Sequence, residues 1–147
     1  MIKKYSNHAF TLIELLVVIS IIGIITAISI VGLTGAREGS RDARRKSDLE
    51  LIRSGLELYK ADCNTYPTTL DVTSGNGSLV GNGTLSCLAE NTYITKIPAD
   101  PLSTKGYVYL KMTDEYIICA SLEQGGTDIW CGAPCGGDVC NYVVTNP

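Results

Sequence analysis

Twenty-two consecutive residues, Leu12 to Leu33, carry a single charged side chain, Glu14. At about 1.5 Å of rise per residue, a helix of that length spans roughly 33 Å, close to the ~30 Å hydrocarbon core of a bilayer. A secretory signal core is shorter, about 7–15 residues, and ends at a small-residue cleavage site. The segment therefore reads as a membrane-spanning helix that stays with the chain. The 147 residues leave room for one modest domain beyond it. They describe neither a disordered polymer nor a multi-span membrane protein.

Glu14 sets this segment apart from a plain anchor. An acid at the centre of an inserted helix costs roughly 2.5–3.5 kcal/mol. Glu14 lies near one end, so it either reaches the headgroups or has a partner inside the membrane. A cut before Phe10 would supply one, because the new α-amine lies four residues ahead of Glu14. In a helical array the same carboxylate can pair with the amine of a neighbouring copy.

Lys3-Lys4, a short polar leader and then Ala9-Phe10-Thr11-Leu12-Ile13-Glu14-Leu15-Leu16-Val17 resemble the type IV prepilin and pseudopilin signal. The resemblance implies that a prepilin peptidase cuts between Ala9 and Phe10 on the cytoplasmic side and N-methylates Phe10. It implies that Glu14 directs subunit docking. The residue before the cut is usually Gly in that family and is Ala9 here. Many pilins carry a mid-helix proline; this span has none, so no proline kink is predicted.

The implied organisation is a leader at 1–9, a transmembrane and filament-core half-helix at 10–35, an exposed half-helix at 36–62 and a head at 63–147. The implied fold is α+β and pilin-like: a long N-terminal helix on a small antiparallel sheet with a disulfide-stapled C-terminal loop. Implied partners are further copies of the chain, the peptidase, an inner-membrane platform protein, an assembly ATPase and the bilayer. The implied location is the cytoplasmic membrane, single-pass with the head outside, and then a periplasmic or cell-surface filament. A bare count of Lys3 and Lys4 against Arg37, Arg41, Arg44, Arg45 and Lys46 would orient the span the other way. The resemblance and the cysteines argue for the head outside.

Beyond the span, Leu49, Ile52, Leu56, Tyr59 and Cys63 recur at helical spacing and predict a buried face. Arg53, Glu57 and Lys60 fall on the opposite side. Between Arg37 and Asp48 there is no apolar stripe. That stretch reads as polar all round, unable to pack on its own domain, and hence a solvated stalk or an inter-subunit charge face. Asp42, Asp48 and Glu50 interleave with Arg41, Arg44, Arg45 and Lys46, so nucleic acid is disfavoured and anionic headgroups come next. From Ala61 to Pro147 there are 3 Lys/Arg against 9 Asp/Glu, an acidic head that disfavours DNA.

The head divides into an αβ-loop over about 63–95, a sheet over about 105–122 and a Cys-rich segment at 123–147. Pro67 ends the helix, and residues 68–83 read as loop. Thr84 reads as the cap of a short helix over 85–90. Tyr107–Met112 and Tyr116–Leu122 predict a hairpin, with a last strand over Tyr142–Thr145. Lys96-Ile97-Pro98-Ala99-Asp100-Pro101 with the tyrosine-rich runs is similar to major pseudopilins of type II secretion. That likeness implies an acidic calcium loop, for which Glu123 and Asp128 are weak candidates, since calcium takes 6–8 oxygens. No other cofactor is expected.

Six cysteines, Cys63, Cys87, Cys119, Cys131, Cys135 and Cys140, all follow the span and read as disulfides in an exported head. Six allow 15 pairings. Cys63 with Cys87, and Cys119 with one of the last three, is the arrangement expected. The competing zinc reading lacks the usual Cys-x2-Cys spacing. Asn76-Gly77-Ser78 and Asn82-Gly83-Thr84 match the glycosylation pattern and read as turns. The one histidine, His8, sits in the leader, and the sequence shows neither a P-loop nor a nucleophile–base motif. The expectation is a structural filament subunit and not an enzyme. The alternative is a membrane-anchored ligand-binding head, as in a minor pilin, DNA-uptake or metal-binding protein, or an enzymatic head.

Overall fold

The structure is a computed structural model that describes residues 10–147. The leader and Ala9 lie outside the described residues. The elements are α1 (Leu12–Cys63), β1 (Leu79–Val80), β2 (Thr92–Ile94), β3 (Val108–Lys111), β4 (Tyr116–Ala120) and β5 (Tyr142–Thr145). Contacts divide the chain into one unit that ends at Arg37 and a second, Glu38–Pro147, so the division falls within α1.

The first unit is helix without a core. Its most apolar window of 18 residues has a mean hydropathy of 2.8, and none of it is buried. Ser20, Thr26 and Ser29 donate their hydroxyls to the carbonyls of Leu16, Ile22 and Ile25 at 2.8, 2.7 and 2.9 Å. Three polar side chains are thereby satisfied by their own helix, which suits an apolar surrounding.

In the second unit the helical stripe does what its spacing predicts. Leu49, Ile52, Leu56 and Tyr59 are buried in one core with Tyr107, Tyr116, Ile118 and Val144. The helix ends at Cys63, where Asn64 takes the left-handed conformation (φ 54°) and donates its N–H to the Lys60 carbonyl at 2.8 Å. The main sheet is antiparallel in the order β3-β4-β5, with Val108 opposite Cys119 and Ile118 opposite Val144. Strand alternation sends Tyr116, Ile118 and Ala120 into the core shared with α1. Ile117 and Cys119 face the other way and pack against Cys131, Cys135 and Cys140 of the tail.

Four expectations are corrected. The stretch 37–48 does pack on its own domain: Asp42 and Arg45 are buried against the head by ion pairs, which need no apolar stripe. Glu57 is not simply on a solvent face, because it accepts the hydroxyls of Tyr66 and Tyr116 at 3.0 and 2.9 Å. Residues 68–83 are not all loop, since Leu79–Val80 pairs with Thr92–Ile94 as a second, two-stranded sheet. Residues 85–90 form no helix. Cys87 donates its N–H to the Thr84 carbonyl at 3.0 Å in a tight turn, and Leu85 is fully exposed at its tip. A six-residue segment gains too few hydrogen bonds to offset helix nucleation.

The two-stranded sheet reaches the helix at Gly55. A Cβ built there would lie 2.2 Å from Ile94 Cγ1, so only glycine permits this approach.

Candidate functional site

Thr11 opens α1, and the threonine–x–x–glutamate spacing places Glu14 to reach back to it. Glu14 Oε2 accepts the Thr11 N–H at 2.8 Å and its hydroxyl at 2.7 Å. In return Thr11 Oγ1 accepts the Glu14 N–H at 3.3 Å. This reciprocal pair is a capping box, and it satisfies orphan donors of the first turn. The spacing was present in the sequence, and reading Glu14 only as a membrane charge overlooked it. Phe10, Ile13, Val17 and Val18 line an exposed notch with Glu14. A carboxylate is thus aimed from an apolar surface, with Phe10 beside it.

The second constellation ties α1 to the head. Arg45 is fully buried and donates Nε and Nη2 to the two Asp100 oxygens at 2.7 and 2.9 Å. Its Nη1 donates to Asp42 Oδ1 and Glu123 Oε1, each at 2.7 Å. Arg41 grips the same Glu123 carboxylate through Nε and Nη2. Asp42 also accepts the backbone N–H groups of Glu123 and Gln124 at 2.9 and 2.8 Å. Three carboxylates and two guanidiniums thereby join one helix face, the proline turn at 97–101 and the loop after β4.

The electrostatics follow from these bonds. The Arg41 guanidinium holds the Glu123 carboxyl down at about 2; burial opposes the shift and Arg45 reinforces it. Burial pushes Asp42 up, but the N–H groups of Glu123 and Gln124 and the Arg45 guanidinium outweigh it, so its carboxyl lies below the usual range. Burial pulls Arg45 down, and the hydrogen bonds it donates to Asp100, Glu123 and Asp42 more than reverse that. Glu123, Asp42, Arg41 and Arg45 are thus each held in their charged form. Glu123 is engaged by arginine at both oxygens, and Asp128 is exposed. Among the described residues no group of three or more His, Cys, Asp or Glu forms a metal-holding set. Asp42, Arg45 and Asp100 were missed as a site, although Arg41, Asp42 and Arg45 share one helical face by spacing.

Disulfides join Cys63 to Cys87, Cys119 to Cys131 and Cys135 to Cys140. No thiolate remains among them for zinc. The first clamps the αβ-loop to the end of α1, the second ties the tail to β4, and the third closes a short loop within the tail.

An exposed apolar helix with one acid, continued into a disulfide-linked antiparallel head, defines a pilin-like structural subunit of the α+β class. The chain belongs to the family described as type II secretion system (T2SS), protein G, whose model matches residues 32–131. The prokaryotic N-terminal methylation motif matches residues 4–30. Type II secretion system core protein G of Escherichia coli (strain K12) is 34% identical over 144 residues, 95% of this chain and 90% of that protein. The protein of the same name from Dickeya chrysanthemi is 30% identical over 95% of this chain and 89% of its own length. That of Vibrio cholerae is 28% identical over 97% and 96%. No solved structure gave a match. The chain is therefore a membrane-anchored pseudopilin, a subunit type that builds filaments from like copies. Cys135, Cys140 and β5 lie past the end of the protein G match.

Proposed function

We propose that the chain enters the cytoplasmic membrane as a prepilin with its head outside, is cut between Ala9 and Phe10, and is N-methylated at Phe10. It then assembles into a type II secretion pseudopilus in the periplasm. Glu14 pairs with the N-terminal amine of a neighbouring copy, and the apolar helices pack as the filament core. The observation that carries this reading is Glu14 itself, the lone charge of an apolar helix that has no core of its own to cover it. An unpaired carboxylate in lipid is costly, and an ammonium partner offsets the cost when the geometry is good. The capping box employs Glu14 Oε2, which leaves Oε1 to face a neighbour. Membrane extraction draws on an assembly ATPase and a platform protein, because this sequence has no nucleotide motif. The test is assembly of native chain and Glu14→Ala alongside a prepilin peptidase and the assembly machinery. Native chain is expected to form filaments, and the variant to be cleaved but not assembled. Equal assembly of the two overturns the pairing.

A further inference from the structure

Among the exposed apolar side chains of the head, two surfaces differ in charge. The first lies on the outer face of the main sheet. Leu110 and Met112, two residues apart, are 38% and 46% exposed. The segment Trp130–Gly132 lies against Leu110: a Cβ on Gly132 would be 3.3 Å from Leu110 Cδ2, and Cys131 is bonded to Cys119 of β4. Trp130 is 81% exposed on this anchored segment. An indole held out by a disulfide loses little freedom on docking. Exposed acids flank it, Asp114 and Glu115 in the β3–β4 turn and Asp128 two residues before Trp130, while Lys111 is turned to the Thr65 hydroxyl and Lys60 to the Asp114 carbonyl.

The second surface is a groove of about 460 Å³ between α1 and β2. Leu51, Gly55, Leu58, Tyr93, Ile94 and Lys96 line it, with Ile94 packed directly against Gly55. Leu51 and Leu58 are about half exposed. Lys96 is exposed at the groove, and Arg44, largely exposed and 3.8 Å from Asp48, lines the adjoining depression together with Lys96. Asp62 at the far end is engaged by the Tyr93 hydroxyl at 3.0 Å.

We propose that Trp130 of one head seats in the Gly55 groove of a second copy of this chain, its acidic rim against Lys96 and Arg44. The inference rests on the filament reading and names the surfaces that meet within it. Self-pairing of the Trp130 patch would bring Asp114, Glu115 and Asp128 against their own copies, which costs energy and lowers specificity. A contact between two different faces repeats head to tail, and such contacts propagate as open helical arrays rather than closing as dimers. Tryptophan is enriched among interface anchors.

The test replaces Trp130 with the aromatic photo-cross-linker p-benzoylphenylalanine in the full chain, assembled in membranes by its own machinery. The expected adduct joins position 130 to residues 51–58 or 93–96 of a second copy, and the same probe at Leu58 maps back to 110–112 or 130. Trp130→Ala and Leu58→Asp are each expected to cut filament yield by about tenfold or more, the effect of losing ~1.4 kcal/mol at an anchor. The membrane level of oxidised subunit should stay unchanged. Filaments whose adducts fall only elsewhere on the second copy, or on another protein, overturn this inference and leave the filament reading standing. Failure of the native chain to form filaments overturns both.

Discussion

Arg45 and Asp100, 55 residues apart in sequence, meet in a bidentate ion pair at 2.7 and 2.9 Å with both side chains excluded from solvent. Fork-to-carboxylate geometry is the strongest form of this contact, because two parallel charge-assisted bonds fix orientation as well as distance. Here it seats the proline turn on α1, and the same guanidinium holds the loop after β4 through Glu123. A helix stretch without an apolar stripe is thereby docked mainly through its charged side chains.

Arg45→Ala should destabilise the head by about 3–5 kcal/mol, since it strands buried carboxylates without a counter-charge. Urea unfolding of the detergent-solubilised full chain, followed by near-UV circular dichroism, measures this. Acidification should partly rescue the variant, because stranded carboxylates prefer to be protonated. A loss under about 1 kcal/mol, the range of surface pairs, would contradict the burial of this cluster.

Glu123 sets an acid limb of stability. Its carboxyl lies at about 2 in the folded head and near 4.3 in an unfolded chain, so between those values the unfolded state binds more protons. The contribution is complete above about pH 5 and is lost as pH falls toward 2. Asp42 shifts in the same direction, as does exposed Asp71, held at about 2 by Ser74 and Thr73. The informative measurement is therefore a difference. Glu123→Gln should be less stable at pH 7 and show a shallower fall in acid than the native chain. Parallel curves would contradict the arginine clamp.

Calcium should not stabilise this loop. Glu123 Oε1 already accepts from Arg41 and Arg45, and Oε2 from Arg41. A ligand that binds only the folded state raises Tm, and a gain of 1 kcal/mol shifts a small domain by about 4–8 °C. Scans with a chelator and with added calcium are expected to superimpose. A calcium-dependent rise of that size would contradict the assignment of Glu123 to arginine.

What the sequence disclosed followed what has a period. Leu49, Ile52, Leu56 and Tyr59 announced their face through 3.6-residue spacing, and the β3–β4 hairpin through two runs of β-branched and aromatic residues. Arg45 with Asp100 has no period, and the interleaved Asp42 made the basic run look solvated. The two residues of β1 are too few to alternate visibly. The Thr11–Glu14 box was readable and was hidden by the more conspicuous question of a charge in an apolar helix.

Cys63 and Cys87 close a loop of 24 residues across the join between α1 and the αβ-loop. Chain-entropy arithmetic gives such a cross-link about 3 kcal/mol. Cys63→Ala with Cys87→Ala should lower the urea midpoint accordingly while the tail disulfides persist in a non-reducing peptide map. A midpoint equal to that of the native chain would contradict a structural role for this bond.

The intact mass of the subunit recovered from assembled filaments bears on the whole account at once. The expected mass is that of a chain beginning at N-methylated Phe10 with all six cysteines oxidised. Filaments built from subunits that still carry residues 1–9 would contradict it, because no free amine would then lie beside Glu14.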